Sequence, residues 1–95
     1  MVTEIAQITV AEGNEASFEK AMRDDGGIAN LAACPGVISV RFGQGVEQPQ
    51  VFAFVVEWDS IEAHAEAKQT DTFKAFSKLI MPWGIGGSMI HFKLA

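Results

Sequence analysis

The segment "VFAFVVEW", residues 51 to 58, is apolar at nearly every position and constrains the fold more than any other part of the chain. Its β-branched and aromatic residues are typical of a β-strand. Successive side chains of a strand point to opposite faces of the sheet. One face receives Phe52, Phe54, Val56 and Trp58, and the other receives Val51, Ala53 and Val55. A sheet that contains this strand therefore needs apolar cover on both faces.

The rest of the chain alternates strand and helix patterns. Strands are predicted over residues 3–10, 37–45, 50–58 and 89–95. The first helix starts near Glu15 after the plausible N-cap Asn14. Its apolar stripe breaks at Gly26-Gly27, resumes in "IANLAA" and ends at Pro35-Gly36.

The second helical region starts at Asp59 or Ser60, pauses at "QTD" and stops at Pro82. The glycine-rich "WGIGGS" is then predicted to form a turn. The order strand, helix, strand, strand, helix, strand predicts an α+β fold. We expect a ferredoxin-like split βαβ sandwich with a four-stranded antiparallel sheet, as one domain spanning residues 1–95.

Two helices cover only one face of such a sheet, so the strand that is apolar on both faces needs a second cover. The chain is short, with 95 residues, yet 48% of them are hydrophobic. The simplest cover is the same face of a second copy, which predicts an isologous homodimer.

Charge and targeting signals exclude several classes of partner. The net charge is −5, from seven basic and twelve acidic residues, and the basic residues are scattered. This pattern argues against nucleic-acid binding. The N-terminal segment is not a signal peptide, no apolar run is long enough to span a membrane, and the single Cys34 suits a reducing compartment. We expect a cytoplasmic protein without a membrane partner.

Trp58 and the two histidines are the first candidates for a functional site. Trp58 ends its strand and is either a core anchor or a flat pocket wall with one donor. His64 borders the inward face of the following helix, where it is either a partly buried structural residue or the best general base in the chain. His91 lies on the strand face opposite Ile90 and Phe92, as a second polar group at the cavity or a cross-strand pairing residue.

Three further residues interrupt apolar surroundings. Gln7 and Arg41 face solvent or the substrate, and Arg41 could bind an anionic or phenolic oxygen. Trp83 is either a lid over the core or an exposed interaction residue. The histidines lack the sequence spacings of common metal sites, and no nucleotide or triad motif is present. We therefore expect neither a metal nor an organic cofactor.

Several segments together resemble the antibiotic biosynthesis monooxygenase family of dimeric α+β barrels. They are "ASFEKAM", "CPGVISVRFGQ", "FVVEWDSIEAHAEAKQTDTFKAFSKLI" and "IHF", which cover almost the whole chain. The resemblance implies oxygenation of anthrones or quinols without metal or flavin. It also implies substrate contacts at Trp58 and His64, which match a strand-end tryptophan and a polar aromatic about two turns later in characterised members.

The chain departs from its relatives at four positions. It has Phe54 where the characterised enzymes place an asparagine. Haem-degrading relatives need a histidine at Lys68 and an asparagine at Gln7, so haem degradation is disfavoured. Polyketide cyclases place their catalytic histidine near Thr70.

The leading hypothesis is a cofactor-independent monooxygenase acting on a small aromatic, polyketide-like phenol, anthrone or quinol. His64 and Trp58 are the candidate catalytic residues. The candidate substrate-binding residues are Arg41, His91, Phe54, Phe73, Phe76, Gln7 and Trp83. A non-catalytic dimeric binding or accessory domain, and a cofactor-free cyclase or isomerase, remain as alternatives.

Overall fold

The computed structural model describes all 95 residues and contains four strands and four helices. In chain order they are β1 (Val2–Val10), α1 (Glu15–Arg23), α2 (Gly27–Ala32), β2 (Val37–Gln44), β3 (Val51–Trp58), α3 (Ile61–Ala67), α4 (Asp71–Ile80) and β4 (Gly84–Phe92). The four strands form one antiparallel sheet in the order β2-β3-β1-β4. The predicted ferredoxin-like α+β fold is confirmed, with each predicted helical region divided into two helices.

Local sequence signals explain where the helices divide. Gly26 adopts a φ of 102°, in the left-handed region that favours glycine, and separates α1 from α2. The side chain of Ser60 caps α3 by accepting a hydrogen bond from the Ala63 amide at 3.0 Å. Thr70 caps α4 in the same way through the Phe73 amide. Asn14 occupies the N-cap position of α1, but its side chain makes no capping hydrogen bond.

The glycine-rich segment "WGIGGS" is not the predicted turn, because β4 already begins at Gly84. The chain turns over residues 81–83 instead, and β4 ends at Phe92. Strand β1 continues to Val10 and provides pairing partners along this whole length. A Cβ on Gly87 would lie 2.4 Å from the backbone oxygen of Gln7, so this close approach of two strands requires glycine.

The helices pack on one face of the sheet, which we call the inner face. Strand β3 contributes Phe52, Phe54, Val56 and Trp58 to the buried cluster on this face, as predicted. The helices contribute Phe18, Met22 and Leu31 to the same cluster. Cys34 is buried there as well, as a small apolar residue. None of the helices has the length and apolar composition needed to cross a membrane.

The opposite face of the sheet, which we call the outer face, carries a row of apolar side chains that are exposed or half-buried. Ile90, Ile5 and Val55 lie side by side across β4, β1 and β3. Ile90 is 58% exposed and Ile5 is 38% exposed. Strands β1 and β4 thus carry apolar side chains on the outer face, as β3 itself does. Within one chain the helices cover only the inner face.

Candidate active site

A cavity of about 400 Å³ lies between the inner face of the sheet and the helices. Its walls are mainly apolar, with Phe54 and Val56 from β3 and Phe73 and Phe76 from α4. The polar side chains at its lining are Glu4, His64 and Lys68, whereas Ser88 pairs with Gln7 and borders the cavity with its side chain on the other face of the sheet. The cavity is therefore an apolar pocket with a small number of polar groups, which is the usual composition of a small-molecule site.

Three elements bring ionisable side chains together at one end of this cavity. Glu4 comes from β1, His64 from α3 and His91 from β4. Glu4 and His91 are directly paired residues of neighbouring antiparallel strands, so the sheet register places them side by side. We call Glu4, His64 and His91 the His–Glu cluster. Glu4 and His64 are buried, with 6% and 3% exposure, and His91 is half-buried.

Short hydrogen bonds connect the cluster to Trp58. The indole Nε1 of Trp58 donates to Glu4 Oε1 at 2.8 Å, while His64 Nδ1 and His91 Nε2 share a hydrogen bond of 2.7 Å. His64 Nδ1 also lies 3.7 Å from Glu4 Oε1. The Trp58 ring stacks on the His64 ring, with 4.4 Å between their centroids and 13° between their planes. The orientation of His64 is thus set by contacts on both its face and its edge.

Burial shifts the pKa of two members of the cluster, His64 and Glu4. Desolvation, followed by the charges of His91 and Lys68, lowers the pKa of His64 to about 4. Desolvation also raises the pKa of the Glu4 carboxyl, against the hydrogen bond from Trp58, which lowers it. His64 is consequently a neutral imidazole at physiological pH, able to accept a proton.

The second ring nitrogen of His64 remains free for chemistry. Its Nδ1 is bonded to His91, whereas Nε2 makes no hydrogen bond within the protein. No buried side-chain nitrogen or oxygen lacks a partner, so Nε2 retains accessible surface. Because His64 lines the cavity, a bound molecule can meet an imidazole whose other nitrogen is already held by a second histidine.

The structure brings some of the predicted site residues to the cavity. The cavity is lined by four of them, which are His64, Phe54, Phe73 and Phe76. His91 does not line the cavity, but it is hydrogen-bonded to His64, which does. Trp58 is fully buried and lies behind His64, so it orients the histidine and is not part of the lining.

The other predicted residues lie elsewhere. Arg41 pairs with Val55 on the outer face and is exposed, so it is on the opposite side of the sheet from the cavity. Gln7 borders the cavity, but its position alternates with Ala6 and Ile8, which places its side chain on the outer face. Trp83 packs against the core near the end of α4 and does not line the cavity.

Sequence reasoning missed Glu4 and gave Lys68 only a place in a family comparison. Glu4 carried a detectable signal, because it alternates with Val2, Ala6 and Ile8 on the apolar face of β1. A carboxylate at such a position is either paired or functional. Lys68 follows α3 directly and lines the cavity while remaining exposed, and it is the one lysine or arginine among the lining residues.

Comparisons with known proteins agree with this architecture. Residues 1–79 match the sequence profile of the family "Antibiotic biosynthesis monooxygenase". The uncharacterised protein YczJ of Bacillus subtilis is 32% identical over 66 residues, which cover 70% of this chain and 67% of YczJ.

Solved structures show the same fold over the whole chain. A provisionally named antibiotic biosynthesis monooxygenase from Bordetella bronchiseptica has a TM-score of 0.86 and 25% identity, over 99% of this chain and 96% of that one. A protein of Pseudomonas aeruginosa has a TM-score of 0.80 and 23% identity, over 99% and 94% of the two chains. Together the profile match and the Bordetella bronchiseptica structure support a monooxygenase-type function. The chain belongs to the antibiotic biosynthesis monooxygenase family.

Proposed function

We propose that this protein is a homodimeric, cofactor-independent monooxygenase that acts on a small electron-rich phenol, anthrone or quinol. The observation that carries the proposal is the placement of His64, a neutral imidazole held by His91 and Trp58 at the wall of an apolar cavity. Family membership supports the reaction type. The geometry of the cavity supports the substrate class.

Size and lining favour a flat aromatic substrate. The cavity volume of about 400 Å³ is within the range of about 300–1,000 Å³ that is usual for small-molecule sites. Phe54, Phe73 and Phe76 offer aromatic surfaces, with Phe76 edge-on to both of the others. Aromatic rings pack favourably against such edges and faces. Charged or strongly polar substrates gain little from these walls.

The chemistry needs a base and molecular oxygen only. His64 Nε2 removes a proton from the activated CH2 of an anthrone, and the resulting carbanion passes one electron to O2. The substrate radical and superoxide combine into a C–O bond, giving a peroxide anion that takes a proton. Loss of the second hydrogen from that carbon with cleavage of the O–O bond releases water and leaves a carbonyl. In total CH2 and O2 become C=O and H2O, and the substrate supplies all four electrons.

The neighbours of His64 complete the proton path. When Nε2 accepts the substrate proton, Nδ1 can pass its own proton along the 2.7 Å hydrogen bond to His91 Nε2. His91 is half-buried and can exchange protons with solvent. Glu4 Oε1, 3.7 Å from His64 Nδ1, presents an oxygen that favours the transient imidazolium electrostatically. Trp58 prevents the imidazole from turning.

Oxygen uptake in the presence of EDTA tests this function. The protein is screened against anthrones, naphthols and quinols with an oxygen electrode, and ligand binding is followed in parallel by thermal shift. We expect one O2 consumed per product molecule, without accumulation of hydrogen peroxide. Thermal stabilisation without oxygen uptake would instead indicate a binding domain, and product formation under nitrogen would indicate a cyclase or isomerase.

The homodimer is part of the proposal and has its own test. The apolar row of Ile90, Ile5 and Val55 on the outer face, which the helices leave uncovered, supports pairing of two sheets face to face. We expect sedimentation velocity to give twice the 10.2 kDa mass of one chain. Ile90→Lys should weaken the dimer at least about tenfold, because it buries an unpaired charge in the interface.

The matched control is Ile61→Lys. Ile61 is 51% exposed, similar to Ile90, but lies on α3 in the helix layer. We expect its dimer affinity to equal that of the wild type. A monomeric wild-type protein, or equal weakening by both variants, would contradict pairing through the outer face. The cytoplasmic location stays a prediction from the sequence.

A further inference from the structure

The His–Glu cluster has the composition of a transition-metal site. One ligand atom from each of Glu4, His64 and His91 lies within 4.8 Å of the other two. Two imidazoles and one carboxylate form a facial set of ligands that suits divalent first-row transition metals. The three residues come from three different elements, so the cluster does not appear as a local sequence motif.

Two of the three distances between the ligand atoms fit a single ion with little rearrangement. Zinc binds histidine nitrogen at about 2.0–2.1 Å and carboxylate oxygen at about 2.0–2.2 Å, so two of its ligand atoms lie about 3.0–3.7 Å apart. The distance from Glu4 Oε1 to His64 Nδ1, 3.7 Å, already meets this condition. The distance from His64 Nδ1 to His91 Nε2, 2.7 Å, needs to increase by only a few tenths of an ångström.

The surroundings also have the features of a metal site. Trp58 Nε1 donates to Glu4 Oε1, which orients the carboxylate in the way that outer hydrogen bonds orient metal ligands. The Trp58 ring holds the plane of His64. Since Glu4 and His64 are buried and His91 is half-buried, the ion has an entry path on the side of His91.

We propose that Glu4, His64 and His91 bind one divalent transition-metal ion, such as Zn²⁺, and that this ion inhibits the protein reversibly. The inhibitory half rests on the proposed function, whereas the binding half stands on the ligand geometry alone. An ion on Nδ1 of His64 forces the remaining ring proton onto Nε2. The nitrogen that faces a bound substrate then becomes a donor and can no longer accept a proton. The ion also breaks the hydrogen bond to His91 and so interrupts the proton path.

Isothermal titration of metal-free protein with Zn²⁺ tests the binding half. We expect one ion per chain. His91→Gln and Glu4→Gln should each weaken the affinity at least about tenfold, because each removes one of three protein ligands. Glu62→Gln is the matched control, since it removes an exposed carboxylate two residues before His64 and should leave the affinity unchanged. Absence of binding, or equal affinity in His91→Gln and wild type, overturns the site.

A second measurement leaves the three ligand residues unchanged, so it does not depend on whether variants of those residues fold. In a Trp83→Phe background, Trp58 is the only tryptophan. Because Trp58 stacks on His64, a paramagnetic Co²⁺ ion in the cluster should quench most of its fluorescence, and EDTA should restore it. Fluorescence that does not respond to saturating Co²⁺ also overturns the site.

The inhibitory half is tested by oxygen uptake with and without Zn²⁺, on any substrate that the EDTA-treated protein turns over. We expect saturating Zn²⁺ to lower turnover at least about tenfold, with full recovery after EDTA. Unchanged turnover with Zn²⁺ bound, or turnover that requires Fe²⁺, overturns the inhibitory role. Binding is measured without substrate and turnover without metal, so failure of one half is distinguishable from failure of the proposed function.

Discussion

Replacement of His64 with glutamine is expected to lower the turnover of a genuine substrate by at least about 100-fold, measured as oxygen uptake in EDTA. One positioned general base typically contributes about 10²–10⁴-fold to the rate. Glutamine keeps a polar side chain of similar length but cannot accept the proton. His91→Gln should lower turnover less, about tenfold, because the proton can still reach Nε2 of His64 but leaves more slowly.

The control for this series is again Glu62→Gln, on the exposed side of the same helix, which should retain full turnover. Far-ultraviolet circular dichroism and sedimentation check that each variant keeps the fold and the mass of the wild type. A His64→Gln protein that keeps wild-type turnover would remove this residue from the mechanism. In that case the cavity could still bind the substrate.

The pH profile of the metal-free protein separates a buried histidine from an ordinary one. Burial lowers the pKa of His64 from about 6.5 to about 4, so the neutral, proton-accepting form persists down to that pH. Activity that needs a neutral base is full above the pKa and lost below it. We therefore expect kcat/KM to be constant from about pH 5 to 8, and a decline beginning near pH 6.5 would contradict this environment.

Replacement of Trp58 with alanine is expected to cost about 3–5 kcal/mol in free energy of unfolding. Trp58 is fully buried, and its loss leaves a large void beside His64 and removes the donor to Glu4 Oε1. Small domains have total stabilities of about 5–15 kcal/mol, so this variant should lose a large fraction of its stability. Urea unfolding at one fixed protein concentration measures the effect, since a dimer's stability depends on concentration.

A milder variant separates packing from hydrogen bonding. Trp58→Phe keeps an aromatic ring but leaves Glu4 Oε1 without its donor, which should cost about 2 kcal/mol. Combining Trp58→Phe with Glu4→Leu in a double-mutant cycle should give a coupling energy of about 1.5–3 kcal/mol. Trp83→Phe, at a half-buried position outside the cavity, should cost less than about 1 kcal/mol. A coupling energy near zero would show that the indole–carboxylate bond contributes nothing.

The candidate site was predictable where the local sequence pattern alone indicates the position of a residue. His64 follows a capped strand-to-helix junction on the inward side of an amphipathic helix, which left it as either a structural residue or a base, and the structure buries it at the cavity. The role of Trp58 was harder to assign, because a strand-end tryptophan suits both a pocket wall and a layer behind it. Only the position of the His64 ring decided that Trp58 lies behind the histidine.

Residues that depend on sheet pairing were predicted less well. Glu4 meets His91 because β1 and β4 pair in one particular register, and that register links positions far apart in the chain. The glycine-rich start of β4 was assigned to a turn, because local propensity ignores the partner strand that holds it extended. Arg41 and Gln7 are polar residues in apolar strands, and the alternation alone did not say which face the helices would cover.

The sequence by itself determined the order of the elements, the family resemblance and the need for apolar cover on both faces of β3. These follow from local patterns of hydrophobicity, capping residues and glycine or proline breaks, which act over a few residues. Only the tertiary structure decided which ionisable groups share one buried space. Glu4, His64 and His91 come from the two ends and the middle of the chain, and the sheet register and the packing of α3 bring their polar atoms within 4.8 Å. Desolvation then raises the pKa of Glu4 and lowers the pKa of His64.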